Sequence, residues 1–522
     1  MHLVAKSGER IELTPLPTQV TTARRTGNLR VEVAADPARD PVSTGALVAR
    51  AARGFFELGR RAGNTGAPAP AKGPPPVTFR DEASGALRVV YREIALRFGR
   101  QVPQATRRKI LADRGFVVRR RNAFVRDQLV VYHPDRKYAG EELLDIANAW
   151  TALDEVVFAT PNFVSQYWRV AMPRIPGAQW HLVNKGAGSA KKDEDVDARE
   201  AWRITRGKRA VVVAVLDDGV DVDHPNLRSR IWKNPDASAP DARGRDYFLP
   251  DDDPGHFDPR PKLFRFPFDQ MTGNDIHGTP CAGVIAAAGR DGGAVGIAPG
   301  CRVLPVKIFH ADELAADEHV ADAIRYAAQH AAILSCSWSG GYSSDLHQAL
   351  EDVAQGGRGG LGTLVFCAAG NEDGAPVGYP ARDAHAIAVG ASTDRGTLAS
   401  YSNVGPEIAF VAPSSGGVRG IFTTDVSYPN RGFNTGTAGA GGADGRHTND
   451  FGGTSSATPL AAGIAALVLS AKPGLTAAQV RTLMESTCDR IGSGYDASGR
   501  SPRFGYGRVN AGKAVAAAKA LR

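Results

Sequence analysis

Residues 210–219 read AVVVAVLDDG, an unbroken apolar run that ends in two aspartates and a glycine. Such a run is typical of a parallel strand that is buried on both faces. Similar apolar runs lie at residues 301–309, 331–339, 362–370 and 384–392. Helical stretches separate them, and strands that alternate with helices predict a mainly parallel sheet covered on both faces. We therefore predict a three-layer α/β fold for this part of the 522-residue chain.

A different pattern precedes that region. Residues 66–76, GAPAPAKGPPP, have the composition of an extended linker. From residue 86 the order strand–helix–strand–strand–helix–strand predicts a small ferredoxin-like α+β domain. The predicted segments are an N-terminal extension of unknown role (1–65), a Pro/Gly-rich linker (66–85), the small α+β domain (86–170) and the α/β domain (171–522).

The net charge of +8 is unevenly distributed. Residues 1–170 hold 27 Lys and Arg against 17 Asp and Glu, whereas the remainder holds 36 against 38. A basic segment can bind nucleic acid or a membrane surface, or it can dock on an acidic part of its own chain. The arginines of 107–126 belong to strand and helix patterns, so we predict no nucleic-acid partner. No run of 18 apolar residues is present, so we also predict no membrane span.

Two features concern the cellular compartment. Residues 1–13 lack the apolar stretch of a secretory signal. The cysteines are odd in number and lie in apolar surroundings, which predicts buried free thiols rather than disulfides. They are Cys281, Cys301, Cys336, Cys367 and Cys488. Both features favour the cytoplasm, and export by another route is the alternative.

Four polar residues stand at predicted strand ends or helix starts. Asp217 ends the strand quoted above, and Asn371 follows the strand VFCAAG. His277 opens a helix of small residues, and Ser455 stands at the start of the helix of residues 455–471. Taken alone, they have ordinary structural interpretations as a turn aspartate, a turn asparagine, a structural histidine and an N-cap serine. Together, along one parallel sheet, they predict a catalytic set, because active sites lie at the carboxyl ends of such strands.

The residue types suit nucleophilic hydrolysis. A serine at a helix N-terminus lies where its own N–H and the helix dipole stabilise an oxyanion. An asparagine amide can supply a second donor, and removing such a donor costs about 10²–10³ in rate. The order Asp…His…Ser is that of subtilisin and differs from that of the α/β-hydrolases.

Several motifs resemble those of the subtilisin-like serine peptidases. They include VAVLDDGVDVDHPNL (213–227), HGTPCAGVIAAA (277–288), AAGNE (368–372) and GGTSSATPLAAGIAAL (452–467). The resemblance extends over about residues 179–515, and the Asp-Asp-Gly and SCSW segments are similar to the kexin branch. It implies a polypeptide substrate and no cofactor for catalysis. The implied catalytic residues are the triad Asp217, His277 and Ser455, with Asn371 in the oxyanion hole.

Residues 86–168 resemble the inhibitory prodomains of the same family. Such a prodomain docks on the peptidase, leaves its C-terminal strand in the active cleft and is removed by autocatalysis. The resemblance therefore implies a zymogen whose own prodomain is an intramolecular inhibitor, and the uneven charge agrees with this docking. We expect the junction to lie between Val164 and Gly177.

The resemblance also implies substrate-binding residues. The segment Ser337-Trp338-Ser339-Gly340 corresponds to a strand that pairs with the substrate backbone, and Gly378 corresponds to the base of the primary specificity pocket. Ser339 stands where relatives usually have glycine. Kexin-type enzymes hold acids near this pocket, whereas Glu372 is the one acid nearby in this sequence. We predict an apolar or aromatic residue before the scissile bond, with cleavage after basic residues by a dedicated processing peptidase as the alternative.

An acidic loop predicts a structural calcium site. Asp246, Asp251 and Asp253 resemble a calcium-binding loop of the kexin branch, and clustered carboxylates suit Ca²⁺. A solvated acidic turn is the alternative. At the family's stronger calcium site, Asn226 replaces the usual aspartate, while Gln179 retains a ligand oxygen.

Two other functions remain open from sequence. One is a non-catalytic binding protein on the same fold, which the presence of all four catalytic positions disfavours. The other is a basic nucleic-acid-binding or surface-binding protein, which predicts steep salt dependence. We favour a serine endopeptidase made as a self-processing zymogen.

Overall fold

The structure is a computed structural model of the chain. It describes residues 2–4, 10–16, 18–22, 29–33, 77–81, 87–165, 168–169 and 179–521, except 136, 139, 187, 263–273, 291–292, 311–314 and 429–431 within those ranges. The proline-rich residues 66–76, most of the N-terminal extension and residues 170–177 of the expected junction lie outside the described residues.

The elements are numbered in chain order. The first part contains β1 (His2–Val4), β2 (Arg10–Leu16), β3 (Thr18–Thr22), β4 (Leu29–Val33), β5 (Val77–Asp81), β6 (Leu87–Phe98), α1 (Gln104–Ala112), β7 (Val117–Arg121), β8 (Gln128–Tyr132), α2 (Glu141–Thr151), β9 (Val156–Ser165) and β10 (Trp168–Arg169). The second part begins with α3 (Ala198–Trp202), β11 (Val212–Asp217), β12 (Arg245–Asp246), α4 (Gly278–Ala286), β13 (Arg302–Lys307), β14 (Ala315–Ala316), α5 (Asp317–His330), β15 (Ile333–Cys336) and β16 (Trp338–Ser339). It continues with α6 (Ser344–Gly360), β17 (Leu364–Ala368), β18 (Ile387–Ser392), β19 (Ile408–Pro413), β20 (Ile421–Thr424), β21 (His447–Phe451), α7 (Gly453–Ala471), α8 (Ala477–Ser486) and α9 (Ala511–Ala520).

The main sheet of the described chain has seven strands in the order β12–β13–β11–β15–β17–β18–β19, and every pairing is parallel. Alternate residues of β11 face opposite helix layers. Val212, Ala214 and Leu216 pack in the core that contains α5 and α6. Val213 and Val215 pack in the core that contains α4 and α7. The predicted three-layer α/β fold is therefore confirmed.

α7 is long and apolar enough, by length and composition, to cross a membrane, with a mean hydropathy of 1.4. However, 94% of that helix window is buried inside the protein. Small residues permit this close packing: a Cβ on Gly463 would lie 2.3 Å from a methyl group of Ile297. The apolar surface of α7 is thus covered by protein, as in a core helix.

A second, antiparallel sheet lies in the N-terminal part. β9, β6, β8 and β7 are adjacent in that order, which is the strand order of a ferredoxin-like domain. Leu143, Ile146 and Trp150 of α2 pack against this sheet in the core. β5 lies within the segment predicted as linker and pairs with the first half of β6, so this described part of the segment is a strand.

The cysteines are free thiols, as predicted. Four are buried and Cys488 is partly buried. Burial raises the pKa of Cys301 above its usual range, so the thiol stays protonated at neutral pH. Such thiols act as small apolar groups in the core.

Candidate active site

The predicted catalytic residues lie at one edge of the main sheet. Asp217 is the last residue of β11, and Asn371 follows β17, two strands away across β15. His277 is the N-cap residue of α4, and Ser455 is in the first turn of α7. The helices that carry them pack against each other. Strand ends and helix starts therefore meet at one place.

His277 and Asp217 form a buried pair. Nδ1 of His277 lies 2.9 and 3.0 Å from the two carboxylate oxygens of Asp217. The two residues are 2% and 1% exposed. An Nδ1–H that donates to the carboxylate leaves Nε2 as the lone-pair nitrogen of the neutral ring. Among the described residues, this buried Nε2 has no hydrogen-bond partner.

Ser455 lies at the positive end of α7. Its Oγ is 3.5 Å from the carbonyl oxygen of Ser337, and the Ser337 hydroxyl donates to the Ser455 carbonyl at 3.0 Å. Because α7 begins at Gly453, the N–H of Ser455 is one of the first four, which have no intrahelical acceptor. The hydroxyl and this N–H can thus act on one carbonyl group.

The amide of Asn371 is held in one orientation. Its Oδ1 accepts hydrogen bonds from the N–H and the hydroxyl of Thr454, both at 2.9 Å. Its Nδ2 lies 2.7 Å from the position that a Cβ on Gly453 would take. Gly453 also has φ +68°, so both its backbone conformation and the lack of space for a side chain favour glycine at this position. The amide nitrogen is directed to the start of α7, beside Ser455.

Asp218 has a role that its sequence position did not indicate. Its carboxylate accepts the N–H of Gly278 at 2.7 Å and the N–H of His277 at 3.0 and 3.2 Å. The residue is fully buried. A carboxylate at these N–H groups favours the N-terminus of α4 by charge as well as by hydrogen bonding. Asp218 therefore fixes the backbone that carries the His277 ring.

A buried ion pair supports Asp218 in turn. Lys307, which is fully buried, donates to the Asp218 carbonyl at 2.8 Å and to the Asp275 carboxylate at 2.7 Å. Burial acts to raise the pKa of Asp275, but Lys307 and His310 outweigh it and hold that pKa below its usual range. This network of Lys307, Asp218 and Asp275 could not be inferred from residue spacing, because its members come from different strands and loops.

Two close contacts complete the surroundings of His277. A Cβ on Gly278 would lie 2.3 Å from the Gly219 carbonyl, so only glycine lets α4 approach β11 this closely. The Cys281 thiol lies 3.7 Å from Asp217 Oδ2 and 3.9 Å from His277 Nδ1. Burial holds the pKa of Cys281 well above its usual range, so the group is a neutral thiol.

A sequence model of the subtilase family matches residues 208–507. The chain belongs to the subtilase family. It is 34% identical over 455 residues to a calcium-dependent protease of Nostoc sp., covering 82% of this chain and 63% of that protein. It is 32% identical over 369 residues to halolysin of Haloferax mediterranei, covering 70% of this chain and 59% of that protein. The chain thus spans about three fifths of the length of these relatives.

The subtilase fold is also found among solved structures. Fervidolysin from Fervidobacterium pennivorans, a keratinolytic enzyme related to subtilisin, matches with a TM-score of 0.58 and 21% identity. The match covers 81% of this chain and 61% of fervidolysin. At this level of identity, the similarity establishes the fold.

Of the predicted substrate-binding residues of this subtilase, Ser337 contacts Ser455, and the others follow it in the chain or pack against that segment. Trp338 is fully buried and donates through Nε1 to the Leu216 carbonyl at 2.9 Å, which anchors β16 on β11. Gly340 donates to the Tyr379 carbonyl at 2.8 Å. Ser339 and Gly378 face each other, since a Cβ on Gly378 would lie 3.1 Å from Ser339 Oγ. Ser339 Oγ is buried without a hydrogen-bond partner in the described part of the chain.

The end of the N-terminal part runs along the same cleft. The backbone of β9 pairs antiparallel with β14, with Ser165 opposite Ala315. The backbone of β10 pairs antiparallel with β16, with Trp168 opposite Ser339 and Arg169 opposite Trp338. A segment of the chain itself is therefore hydrogen-bonded to the strand predicted to bind substrate.

The three aspartates of the predicted calcium loop do not converge. Asp246 is fully buried and accepts from Lys262 at 3.1 Å, and burial raises the pKa of its carboxyl although Lys307 and Lys262 act to lower it. The Asp251 carboxylate lies 3.4 Å from His256 Nε2. Asp253 accepts from the Gly255 N–H at 2.8 Å. Lys262 thus pairs with Asp246, the three carboxylates do not form one of the ligand groups found among the described residues, and the calcium site stays a prediction.

The second predicted calcium position is closed by hydrogen bonds. The Gln179 amide donates to the Val295 carbonyl at 2.7 Å and accepts from the Val295 N–H at 3.2 Å. Asn226 Oδ1 accepts from the Arg290 N–H at 2.6 Å. These neutral amides satisfy the loop backbone directly and bring no charge to it.

Proposed function

We propose that this subtilase is a serine endopeptidase in which Asp217, His277 and Ser455 form the triad and Asn371 completes the oxyanion hole. The observation that carries the proposal is the pairing of His277 Nδ1 with Asp217 in a buried site, with Nε2 left as a lone-pair nitrogen. Such a ring is oriented to take a proton from a nearby hydroxyl. The relatives named as proteases support the same activity.

The reaction follows from these positions. Ser455 Oγ bonds to the carbonyl carbon of the scissile peptide while its proton passes to His277 Nε2. The negative charge that develops on the carbonyl oxygen is met by the Ser455 N–H and the Asn371 amide. The C–N bond then breaks as His277 gives its proton to the leaving amine. Water repeats the sequence on the acyl-enzyme, which releases the acid and restores the serine hydroxyl.

A non-catalytic binding protein on the same fold is the competing proposal. It would not require a buried carboxylate aligned on a histidine, nor an amide locked by Thr454 beside a helix N-terminus. A buried polar atom without a partner, such as His277 Nε2, has a free-energy cost that a binding role does not explain. The arrangement therefore favours catalysis.

We also propose that residues 86–170 act as an inhibitory prodomain, and charge pairing supports this. Arg120 contacts the carboxylates of Glu318 and Asp322 at the start of α5. Arg97 pairs with Asp352 of α6 at 3.0 Å. Basic residues of the first third thus meet acidic residues of the remainder, as the charge distribution suggested. The docked segment would keep other polypeptides out of the cleft.

The register of β10 suggests which bond is cleaved first. Arg169 lies opposite Trp338, and Ser337, the residue just before β16, has its carbonyl 3.5 Å from Ser455 Oγ. In an antiparallel pair, the next residue of one strand matches the preceding residue of the other. The residue after Arg169 is Val170. We therefore propose self-cleavage between Val170 and Ala171.

Ser339 and Gly378 support a preference for an apolar residue before the scissile bond. The Ser339 hydroxyl occupies space that glycine would leave open, and it faces Gly378. This narrows the predicted pocket and favours small apolar side chains over aromatic ones. Cleavage after basic residues requires an acid there, and the Glu372 carboxylate is engaged by the Asn403 amide at 2.6 Å.

Calcium is proposed as a structural ion on the strength of relatives named calcium-dependent proteases. Asp246 is paired with Lys262 and Asp253 accepts a backbone N–H, so the predicted ligand set Asp246, Asp251 and Asp253 stays a prediction. We assign no ligand set and no catalytic step to calcium.

The deciding experiment compares the intact mass of wild type and of Ser455→Ala over time after purification. We expect the wild type to convert to a form that begins at Ala171, while the variant stays whole. A mature N-terminus elsewhere would overturn the assignment of the bond. Conversion of the variant, in a preparation free of other proteases, would overturn the assignment of the nucleophile.

A further inference from the structure

A second cluster of ligand side chains lies outside the catalytic site. His347 and Glu351 stand one turn apart on α6, and His385 lies in the segment that leads to β18. Their ligand atoms lie within 4.8 Å of one another. All three residues are partly exposed, so an ion can reach them from solvent. We infer that His347, Glu351 and His385 bind a zinc ion.

The histidine of the helix is already oriented as a metal ligand. His347 Nδ1 lies 2.7 Å from the carboxylate of Asp383, whose side chain is 2% exposed. The other oxygen of Asp383 accepts the backbone N–H of His385 at 2.9 Å. A carboxylate hydrogen-bonded to a histidine ring fixes the orientation of that ring, as the partners of metal-ligating histidines do. Asp383 thus sets the ring of one histidine and the backbone of the other.

The third ligand is held in a similar way. Glu351 Oε2 accepts from the Gln348 amide at 2.7 Å, and Oε1 accepts from the Gln355 amide at 3.2 Å. Each carboxylate oxygen can accept a second interaction, so these neutral donors orient the group without neutralising its charge. An anion beside two imidazoles makes the cluster attractive to a divalent cation.

The donor set selects among cations. Zn²⁺ accepts imidazole nitrogen and carboxylate oxygen, and two histidines with one glutamate are a known zinc ligand set that leaves a fourth position for water. Ca²⁺ and Mg²⁺ require mainly oxygen ligands. The cluster therefore differs in chemistry from any calcium site of this chain.

Bound zinc would connect two parts of the cleft wall. α6 follows the substrate-binding segment 337–340, and His385 follows Gly378 along the chain. The ring of Tyr379, next to Gly378, packs 5.2 Å from that of Tyr342, which in turn lies 6.2 Å from the ring of His347. The ion would therefore stabilise the segment that carries the predicted specificity pocket.

The test uses the full-length chain carrying His277→Ala, which blocks self-cleavage and removes a ligand from the other cluster, Asp217–His277–Cys281. Zinc chloride is titrated by calorimetry in buffer with excess calcium. We expect one zinc ion per chain and a rise in Tm. His385→Ala or Glu351→Gln should abolish the binding, and Asp383→Asn should weaken it about 10- to 100-fold.

His133→Ala serves as the matched control, because His133 is a partly exposed histidine of the N-terminal part. It should leave zinc affinity and stoichiometry unchanged. Circular dichroism and the zinc-free Tm establish that each variant is folded. Zinc binding that persists in both His385→Ala and Glu351→Gln would overturn the proposal, as would the absence of binding to the parent. None of these readouts depends on peptidase activity.

Discussion

The carboxylate of Asp218 accepts the backbone N–H of His277 with both oxygens, at 3.0 and 3.2 Å. The two residues are 59 positions apart in the chain. Asp217, the preceding residue, binds the ring of the same histidine. One aspartate thus orients the side chain of His277, and its neighbour fixes the main chain.

We expect Asp218→Ala to lower kcat by about 10- to 100-fold, because a shift of about 1 Å in a catalytic group has an effect of that size. KM should change little, since Asp218 does not contact the substrate strand. Asp218→Asn keeps one acceptor oxygen and should recover part of the rate. Steady-state kinetics with a peptide substrate provide the measurement.

A purely structural role for Asp218 predicts a different result. In that case, Asp218→Ala would lower Tm and the active fraction while active-site titration gave a normal kcat per active molecule. Loss of the hydrogen bonds between the Asp218 carboxylate and the start of α4 should cost roughly 1–3 kcal/mol in the free energy of unfolding. Titration of active sites therefore separates the two roles.

Asn371→Ala should lower kcat by about 10²–10³ with little change in KM, because the amide acts on charge that develops in the transition state. Thr454→Val removes the hydroxyl that binds Asn371 Oδ1 but keeps the side-chain volume and the Thr454 N–H bond. It should have a smaller effect in the same direction. An unchanged kcat in Asn371→Ala would show that this amide does not contribute to the oxyanion hole.

Arg120→Met should weaken docking of the proposed prodomain. The substitution leaves the buried carboxylate of Glu318 without its cation, at a cost of roughly 1–3 kcal/mol, whereas Asp322 keeps Arg325. Differential scanning calorimetry of the Ser455→Ala zymogen measures the loss. Arg121→Met is the control, because Arg121 is exposed on the same strand.

The effect of Arg120→Met should depend on pH. Burial raises the pKa of Glu318 to about 7, against the opposing effect of Arg120. A carboxyl group whose pKa is raised in the docked state favours docking at low pH, and this contribution is lost as pH rises towards 7. The variant should therefore differ from its parent more at pH 8 than at pH 5. Equal differences at both pH values would contradict a role for the Glu318 charge.

The parallel strands and the placement of the proposed catalytic residues at strand ends and helix starts were predictable because the evidence is local. A doubly buried strand such as β11 is an apolar run, and a polar residue at its end is visible in the sequence. The contacts of Asp218 were not predictable, because Gly278 and His277 reach it only through tertiary packing. Spacing alone does not reveal which N–H groups will meet a buried carboxylate.

The acidic loop that contains Asp246, Asp251 and Asp253 shows a pattern that is evident in the sequence but not in the side-chain contacts. Three aspartates close together in sequence suggested a calcium cage, but their side chains point to separate partners. Lys262, 16 residues beyond Asp246, pairs with that carboxylate, a contact that the sequence pattern did not indicate. A cluster in sequence becomes a ligand cluster only when the backbone directs the oxygens to one point.

Removal of calcium should lower the Tm of the chain if it shares the calcium requirement that names its relatives. The measurement is thermal unfolding of Ser455→Ala with and without a chelator. The double variant Asp251→Asn, Asp253→Asn should show the same chelator-induced shift, because these carboxylates do not converge in the structure. A shift that disappears in the double variant would place the ion in this loop after all, and no shift in the parent would remove the calcium proposal.

Ser339→Gly should widen the predicted specificity pocket. The Ser339 hydroxyl is buried, has no partner among the described residues and faces Gly378 across the pocket. Its removal leaves room for larger side chains, and filling a pocket with one additional methylene is typically worth about 1–3 kcal/mol. We expect the ratio of kcat/KM for phenylalanine over valine before the scissile bond to rise at least about tenfold, while kcat for the valine peptide stays within about twofold. Gly356→Ala is the control substitution, because a Cβ at that exposed helix position meets no neighbour within 4 Å. Gly374→Ala would be unsuitable, because Gly374 has φ +84°, which an alanine rarely adopts. An unchanged ratio in Ser339→Gly would mean that this serine does not form a wall of the pocket.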